Sequence, residues 1–237
     1  TIWQILGSFD KKTPLNARIT STVQKSAYRV ENIIYESLPG FHVTASLFIP
    51  KDINKPAPGI LFCSGHSTRA YRREYYQLPL LNLVKKGFVV LAIDPIGQGE
   101  RLQYYDPEIG KSLVGSSTRE HSYPGVQVFL TGKSIARYFL WDGIRGIDYL
   151  VSRPEVDPER IGVHGLSGGG TQTAYISAMD ERVAASAPAG YITSYRRLIE
   201  SMGVADAEQN FYHGISGRID HADFIEVRAP KPTLIMA

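Results

Sequence analysis

The apolar positions change period several times along the chain, and each change predicts an element. Residues 28–36 are rich in β-branched and aromatic side chains, residues 41–49 alternate apolar with polar, and Pro39-Gly40 lies between them, which predicts an antiparallel hairpin. Residues 50–59 carry three prolines and a glycine, a connection, and feed residues 60–63, an unbroken apolar run suited to a strand buried on both faces. Tyr75, Leu78, Leu81, Leu83 and Val84 then fall roughly on one helical face, closed by Lys85-Lys86-Gly87. Residues 88–93 form a second buried strand, ending at Asp94-Pro95 and a loop with Gly97 and Gly99. Residues 101–124 have no clear period and predict an excursion over the surface. Further on, the pattern predicts a long helix at 134–151, a buried strand at 160–164, a small-residue helix at 171–179, and strands at 183–187 and 233–236.

Strand followed by helix, repeated, means a mostly parallel central sheet with helices on both faces, the α/β class. The hairpin adds antiparallel strands at its N-terminal edge. Residues 1–27 read as a lead-in segment and 28–237 as one domain, because 237 residues with 43% apolar content supply one sizeable core. The 26 Lys and Arg against 23 Asp and Glu leave a net charge of +3, and basic residues cluster only in pairs such as Arg72-Arg73 and Arg196-Arg197, so no nucleic-acid partner is expected. The longest apolar runs fall far short of the ~20 residues that cross a bilayer, which argues against a membrane partner. Cys63, alone and inside an apolar run, excludes an internal disulfide and reads as a small buried hydrophobe.

Chemistry concentrates at Gly165-Leu166-Ser167-Gly168-Gly169, a Gly-x-Ser-x-Gly turn between a buried strand and a helix start. A nucleophilic serine there must adopt a strained turn, and glycine at 165 and 169 lets strand and helix approach around it. The Gly168 N–H then faces a developing oxyanion, where one preorganised donor is worth roughly 3 kcal/mol. The alternative is a serine that merely opens a glycine-rich helix; the flanking strand and helix favour the nucleophile. A second oxyanion donor is expected after the strand ending at Cys63, from the N–H of His66 or else of Ser67, although His66 equally reads as an ordinary loop residue.

The other candidates read more plainly. Of the histidines that might serve as base, His42 falls in the edge hairpin and His164 points away from Ser167 within its own strand, while His213 and His221, the latter beside Asp220 and Asp223, suit helix capping and packing. Residues 94–101 lie at the carboxyl end of a strand and should shape a pocket wall. Tyr71, Tyr75, Tyr76, Tyr104 and Tyr105 either stack on sugar rings or pack a lid. Thr131-Gly132-Lys133-Ser134 looks like the tail of a phosphate-binding loop, but Gln127 stands where that loop needs glycine, and Ser167 occupies the second glycine of a dinucleotide pattern. No Cys or His pair stands at zinc spacing, so neither cofactor nor metal is expected.

Through "PGILFCSGHS", "GFVVLAIDPIGQGER", "RIGVHGLSGGGTQTAY" and "DHADFIEVRAPKPTLIMA" the chain resembles the α/β-hydrolase fold over residues 33–237, and within it the acetyl xylan esterase and prolyl-oligopeptidase-like esterases. The resemblance implies that Ser167 is acylated and that Gly168 and His66 supply oxyanion N–H groups. It also implies a small-molecule or carbohydrate ester substrate, such as acetyl on a plant polysaccharide, and a secreted or periplasmic protein, an expectation that a first residue other than Met also suggests. In that family the triad acid follows the strand matching 233–236 and the histidine comes later. The domain is therefore expected to be incomplete at Ala237, where an apolar strand would otherwise be left as a bare edge. Two alternatives remain: a peptidase of the prolyl-oligopeptidase type, and a catalytically inactive hydrolase fold used as a binding module.

Overall fold

In a computed structural model, which describes residues 2–7, 9, 11–115, 117–203 and 205–236, the strand patterns assemble into one seven-stranded sheet. Thr1 and Ala237, the outer limits of the expected segments, lie outside the described residues. In chain order the elements are α1 (Ile2–Leu6), β1 (Arg18–Gln24), β2 (Tyr28–Leu38), β3 (Phe41–Pro50), β4 (Ala57–Cys63), α2 (Glu74–Lys85), β5 (Val89–Ile93), β6 (Tyr105–Asp106) and β7 (Lys111–Ser112). They continue with α3 (Thr118–Phe129), α4 (Ala136–Val151), β8 (Val156–Leu166), α5 (Gly168–Met179), β9 (Val183–Ala189), α6 (Tyr195–Ser201) and α7 (Asp223–Glu226).

The sheet order is β1-β2-β3-β5-β4-β8-β9. β1 to β3 pair antiparallel, β3 meets β5 antiparallel, and β5, β4, β8 and β9 run parallel. This is the mixed sheet expected, with the hairpin at its N-terminal edge. Residues 233–236 align parallel to β9, but only through isolated bridges from Thr233 to Ser186 and Met236 to Ala189. β1 lies within the expected lead-in, and no pattern announces it, because all seven of its residues are exposed and no buried face imposes a period.

Alternation along the strands sends Tyr35, Leu47, Leu61 and Leu91 to one face, under α4 and α5, and Phe48, Phe62 and Val90 to the other, under α2. Burying side chains of this size contributes about 1.5–3 kcal/mol each. On α2 the buried stripe is Tyr76, Leu80 and Val84, four residues apart, whereas Tyr75 and Leu78 face outward, so the expected apolar face was rotated. The helix presents to Phe62 and Val90 the residues that stack at successive turns, and Leu81 and Leu83 pack only at its flank.

Residues 101–124, which show no period in the sequence, nevertheless hold regular elements. They form the β6–β7 ribbon and the first turns of α3. What organises them is polar: the buried Glu120 carboxylate accepts hydrogen bonds from the Gln103 N–H (2.6 Å), the Tyr104 N–H (3.2 Å) and the Ser112 hydroxyl. Beneath this loop Arg101 donates to Asp142 (2.8 Å) and to the Asp94 carbonyl (2.9 Å), a buried ion pair that joins the β5 loop to α4.

Candidate active site

β8 ends at Leu166 and α5 begins at Gly168, so Ser167 alone makes the turn, with φ 60° and ψ −123°. A side chain in this left-handed region costs roughly 1–3 kcal/mol and persists because its surroundings fix it. The Ser167 N–H donates to the Ala189 carbonyl (2.9 Å) and the Thr171 N–H donates back to the Ser167 carbonyl (3.0 Å). The glycine requirement is steric: a Cβ at Gly165 would lie 2.4 Å from the Cys63 carbonyl oxygen, and one at Gly169 only 2.0 Å from it. Among the described residues no side chain hydrogen-bonds the Ser167 hydroxyl.

Because β4 pairs directly with β8, Cys63 opposite Gly165, the 64–67 loop falls against the turn. A Cβ at Gly65 would sit 2.5 Å from the Leu166 carbonyl oxygen and 3.1 Å from the Ser167 Cβ. Gln98 Nε2 donates to the Gly65 carbonyl (3.0 Å) and pins the loop. The His66 ring covers Gly168, its Cε1 2.9 Å from where a Cβ would stand. Ser167, His66 and Gly168 thus come together, and α5 directs the positive end of its dipole at the same point.

A cleft of about 440 Å³ opens here, lined by Ser167, Gly190, Tyr191, Leu198, Asp206, Gln209 and His221 among others. His221 stacks on Tyr191 with ring centroids 4.5 Å apart, and its Nδ1 lies 3.0 Å from the Tyr191 carbonyl. Burial holds this imidazole below its ordinary range. It packs as expected, yet it also borders the cleft.

The cleft wall behind His66 contains a network that local sequence patterns do not announce. Glu208, buried, brings one carboxylate oxygen to 2.7 Å from His66 Nε2 and the other to 2.9 Å from His121 Nδ1. His121 Nε2 lies 2.7 Å from the Ile96 carbonyl, and Asp206 lies 3.5 Å from His66 Nδ1. Burial alone would lower the His66 pKa, but the hydrogen bond and charge of Glu208, with Asp206 beyond, outweigh it and hold it above the ordinary value. Burial likewise pushes Glu208 up, and the two histidines more than reverse that, keeping its carboxyl well below the usual carboxylate range. Residues 66, 121 and 208 stand far apart in the chain; their meeting at one point, His121 and Glu208 buried and His66 half-buried, needs the fold to be seen.

The remaining candidates lie elsewhere. His42 is 3.6 Å from Glu36 on the hairpin, His164 Nδ1 is 2.9 Å from the Ala187 carbonyl with its ring against Phe62, and His213 contacts Ser216. Asp94 is buried and accepts from Thr44 (2.7 Å), Arg72 (2.6 Å) and the Glu100 N–H (3.2 Å), so it ties its loop together. Of the five tyrosines expected near the pocket, Tyr71 is buried with its hydroxyl on Ser46, Tyr76 packs on Phe62, and Tyr75 and Tyr105 are exposed. None of the five lines the cleft; its aromatic ring is Tyr191. Burial pushes the Cys63 thiol up to about 12, which leaves it unreactive at neutral pH.

The family model for acetyl xylan esterase (AXE1) matches residues 6–216. The Bacillus subtilis protein YtaP, named as a hydrolase, is 25% identical over 247 aligned residues, 98% of this chain and 77% of its own length. A Bacteroides fragilis protein described as an acetyl xylan esterase superposes with a TM-score of 0.79 at 19% identity, over 94% of this chain and 62% of its own. A glucuronoyl esterase from Solibacter usitatus does so with a TM-score of 0.61 at 17% identity, over 99% of this chain and 71% of its own. At these identities the two structures show the α/β-hydrolase fold, and the chain spans under two thirds of the Bacteroides protein.

Proposed function

The chain belongs to the acetyl xylan esterase family of carboxylic ester hydrolases, and on that premise we propose that it cleaves acyl esters of carbohydrates through an acyl-enzyme on Ser167. The observation that carries this reading is Ser167 itself, alone at φ 60° between β8 and α5, on the wall of the 440 Å³ cleft. A hydroxyl held clear of the sheet in this way is what an attacking oxygen requires.

In the proposed cycle the Ser167 oxygen attacks the ester carbonyl carbon and its proton passes to a base. The N–H groups of His66 and Gly168 hold the oxyanion, each worth about 10²–10³-fold in rate. The bond to the alcohol oxygen then breaks, the alcohol leaves with the proton, and water repeats the sequence on the acyl-serine. We assign proton transfer to a histidine paired with Asp or Glu that follows residues 233–236 in the order of this fold. Acetyl groups on a plant polysaccharide are the proposed substrate. The names of the relatives support this, as does a cleft large enough for an acylated sugar, and a polymeric substrate suits a secreted or periplasmic enzyme.

The test uses the full-length protein. It should turn over p-nitrophenyl acetate and release acetate from acetylated xylan, and Ser167→Ala should lower kcat by at least about 10³-fold. Undiminished turnover in that variant refutes the assignment.

A further inference from the structure

We infer that His66, His121 and Glu208 form a binding site for a divalent transition-metal ion of the zinc class. His66 Nε2, His121 Nδ1 and the Glu208 carboxylate converge from three separate segments, the 64–67 loop, α3 and residues 205–209, and the donor atoms all lie within 4.8 Å of one another. Two imidazole nitrogens and one carboxylate oxygen are the mixed donor set that zinc takes, whereas calcium and magnesium select all-oxygen cages.

The surroundings orient the rings for this role. Each imidazole has an acceptor at its far nitrogen: the Ile96 carbonyl lies 2.7 Å from His121 Nε2, and the Asp206 carboxylate 3.5 Å from His66 Nδ1. An N–H directed to such an acceptor fixes the tautomer and turns the lone pair of the other nitrogen inward, as at metal-bound histidines generally. Both inward nitrogens here face carboxylate oxygens, at 2.7 and 2.9 Å, contacts that either protons or a metal ion can bridge. Any proton on an inward nitrogen leaves as the ion enters. Ligand bonds of about 2.0–2.2 Å require the three donors, now within 4.8 Å of one another, to draw around the ion. His121 and Glu208 are buried, while His66 remains partly exposed beside the cleft, which leaves a side from which the ion enters and a water completes the shell.

The readout is metal binding itself, so its outcome is separable from that of the Ser167 reading. Zinc chloride is titrated calorimetrically into the metal-stripped full-length protein near neutral pH, and cobalt(II) absorption is recorded in parallel. The expected result is one ion per chain, a rise in Tm with zinc, and a cobalt spectrum of low coordination number. Glu208→Gln and His121→Asn should abolish the site, and Asp206→Asn, at the cleft wall, should weaken it about 10–100-fold. Should the first two variants fold poorly, the Asp206→Asn affinity and the cobalt spectrum of the parent decide. Absence of stoichiometric binding, or affinity unmoved by these substitutions, overturns the assignment and leaves two proton-bridged ion pairs.

Discussion

Replacing Ser167 by glycine should make the protein more stable while destroying its proposed activity. The serine sits at φ 60°, ψ −123°, where a Cβ costs roughly 1–3 kcal/mol, and as the residue preceding α5 it makes no side-chain capping bond that glycine would forfeit. Against this relief, glycine loses about 0.5–1 kcal/mol more backbone entropy on folding. The balance is a gain of about 1 kcal/mol, or roughly 2–4 °C in Tm for a chain of this length. Ser167→Ala is the informative control, because it removes the same hydroxyl yet keeps the Cβ and hence the strain, so it should melt close to the parent. Urea and thermal unfolding of all three proteins would measure the difference. A glycine variant less stable than the alanine variant would mean that the turn is not strained, and the reasoning from backbone to nucleophile would fail with it.

Three other outcomes are expected. Gly169→Ala places a Cβ 2.0 Å from the Cys63 carbonyl oxygen, backbone against backbone, and should cost about 3 kcal/mol or more in denaturant unfolding. Arg101→Met leaves Asp142 buried without its partner at 2.8 Å and should cost about 3–5 kcal/mol, much of it regained in Arg101→Met/Asp142→Leu. For Asp148, burial raises the pKa but Lys12 at 2.7 Å and Arg182 at 2.6 Å more than offset it, so the folded value lies below the ordinary 3.8. Its stabilisation is therefore present above about pH 4 and lost as pH falls through the lowered value. Asp148→Asn should flatten the acid limb of a stability profile recorded between about pH 5 and pH 2.

The parts of this molecule legible in its sequence are those where burial imposes a period. β4, β5, β8 and β9 are such strands, and the Gly-x-Ser-x-Gly turn between β8 and α5 could be read because sterics leave few residues that fit there. The pairing of β4 beside β8, which brings His66 to Gly168, was expected from the architecture that surrounds a Gly-x-Ser-x-Gly turn rather than from any period. What stayed hidden obeys other rules. β1 is exposed along its whole length; the 101–124 excursion is organised by one carboxylate; and the α2 stripe was misplaced because several leucines compete for one face and only contact with Phe62 and Val90 chooses among them. The His66, His121 and Glu208 cluster joins residues whose separation along the chain carries no periodic signal.

Glu120 and His121 are sequence neighbours whose bonds run in different directions. One secures the outer ribbon and the other braces the cleft wall behind His66, beside Ser167. Local opening of that single helical turn would release both at once, so amide protons of the ribbon and of the 64–67 loop should exchange with solvent as one cooperative unit. The β6–β7 ribbon would then set how long the wall beside Ser167 stays assembled.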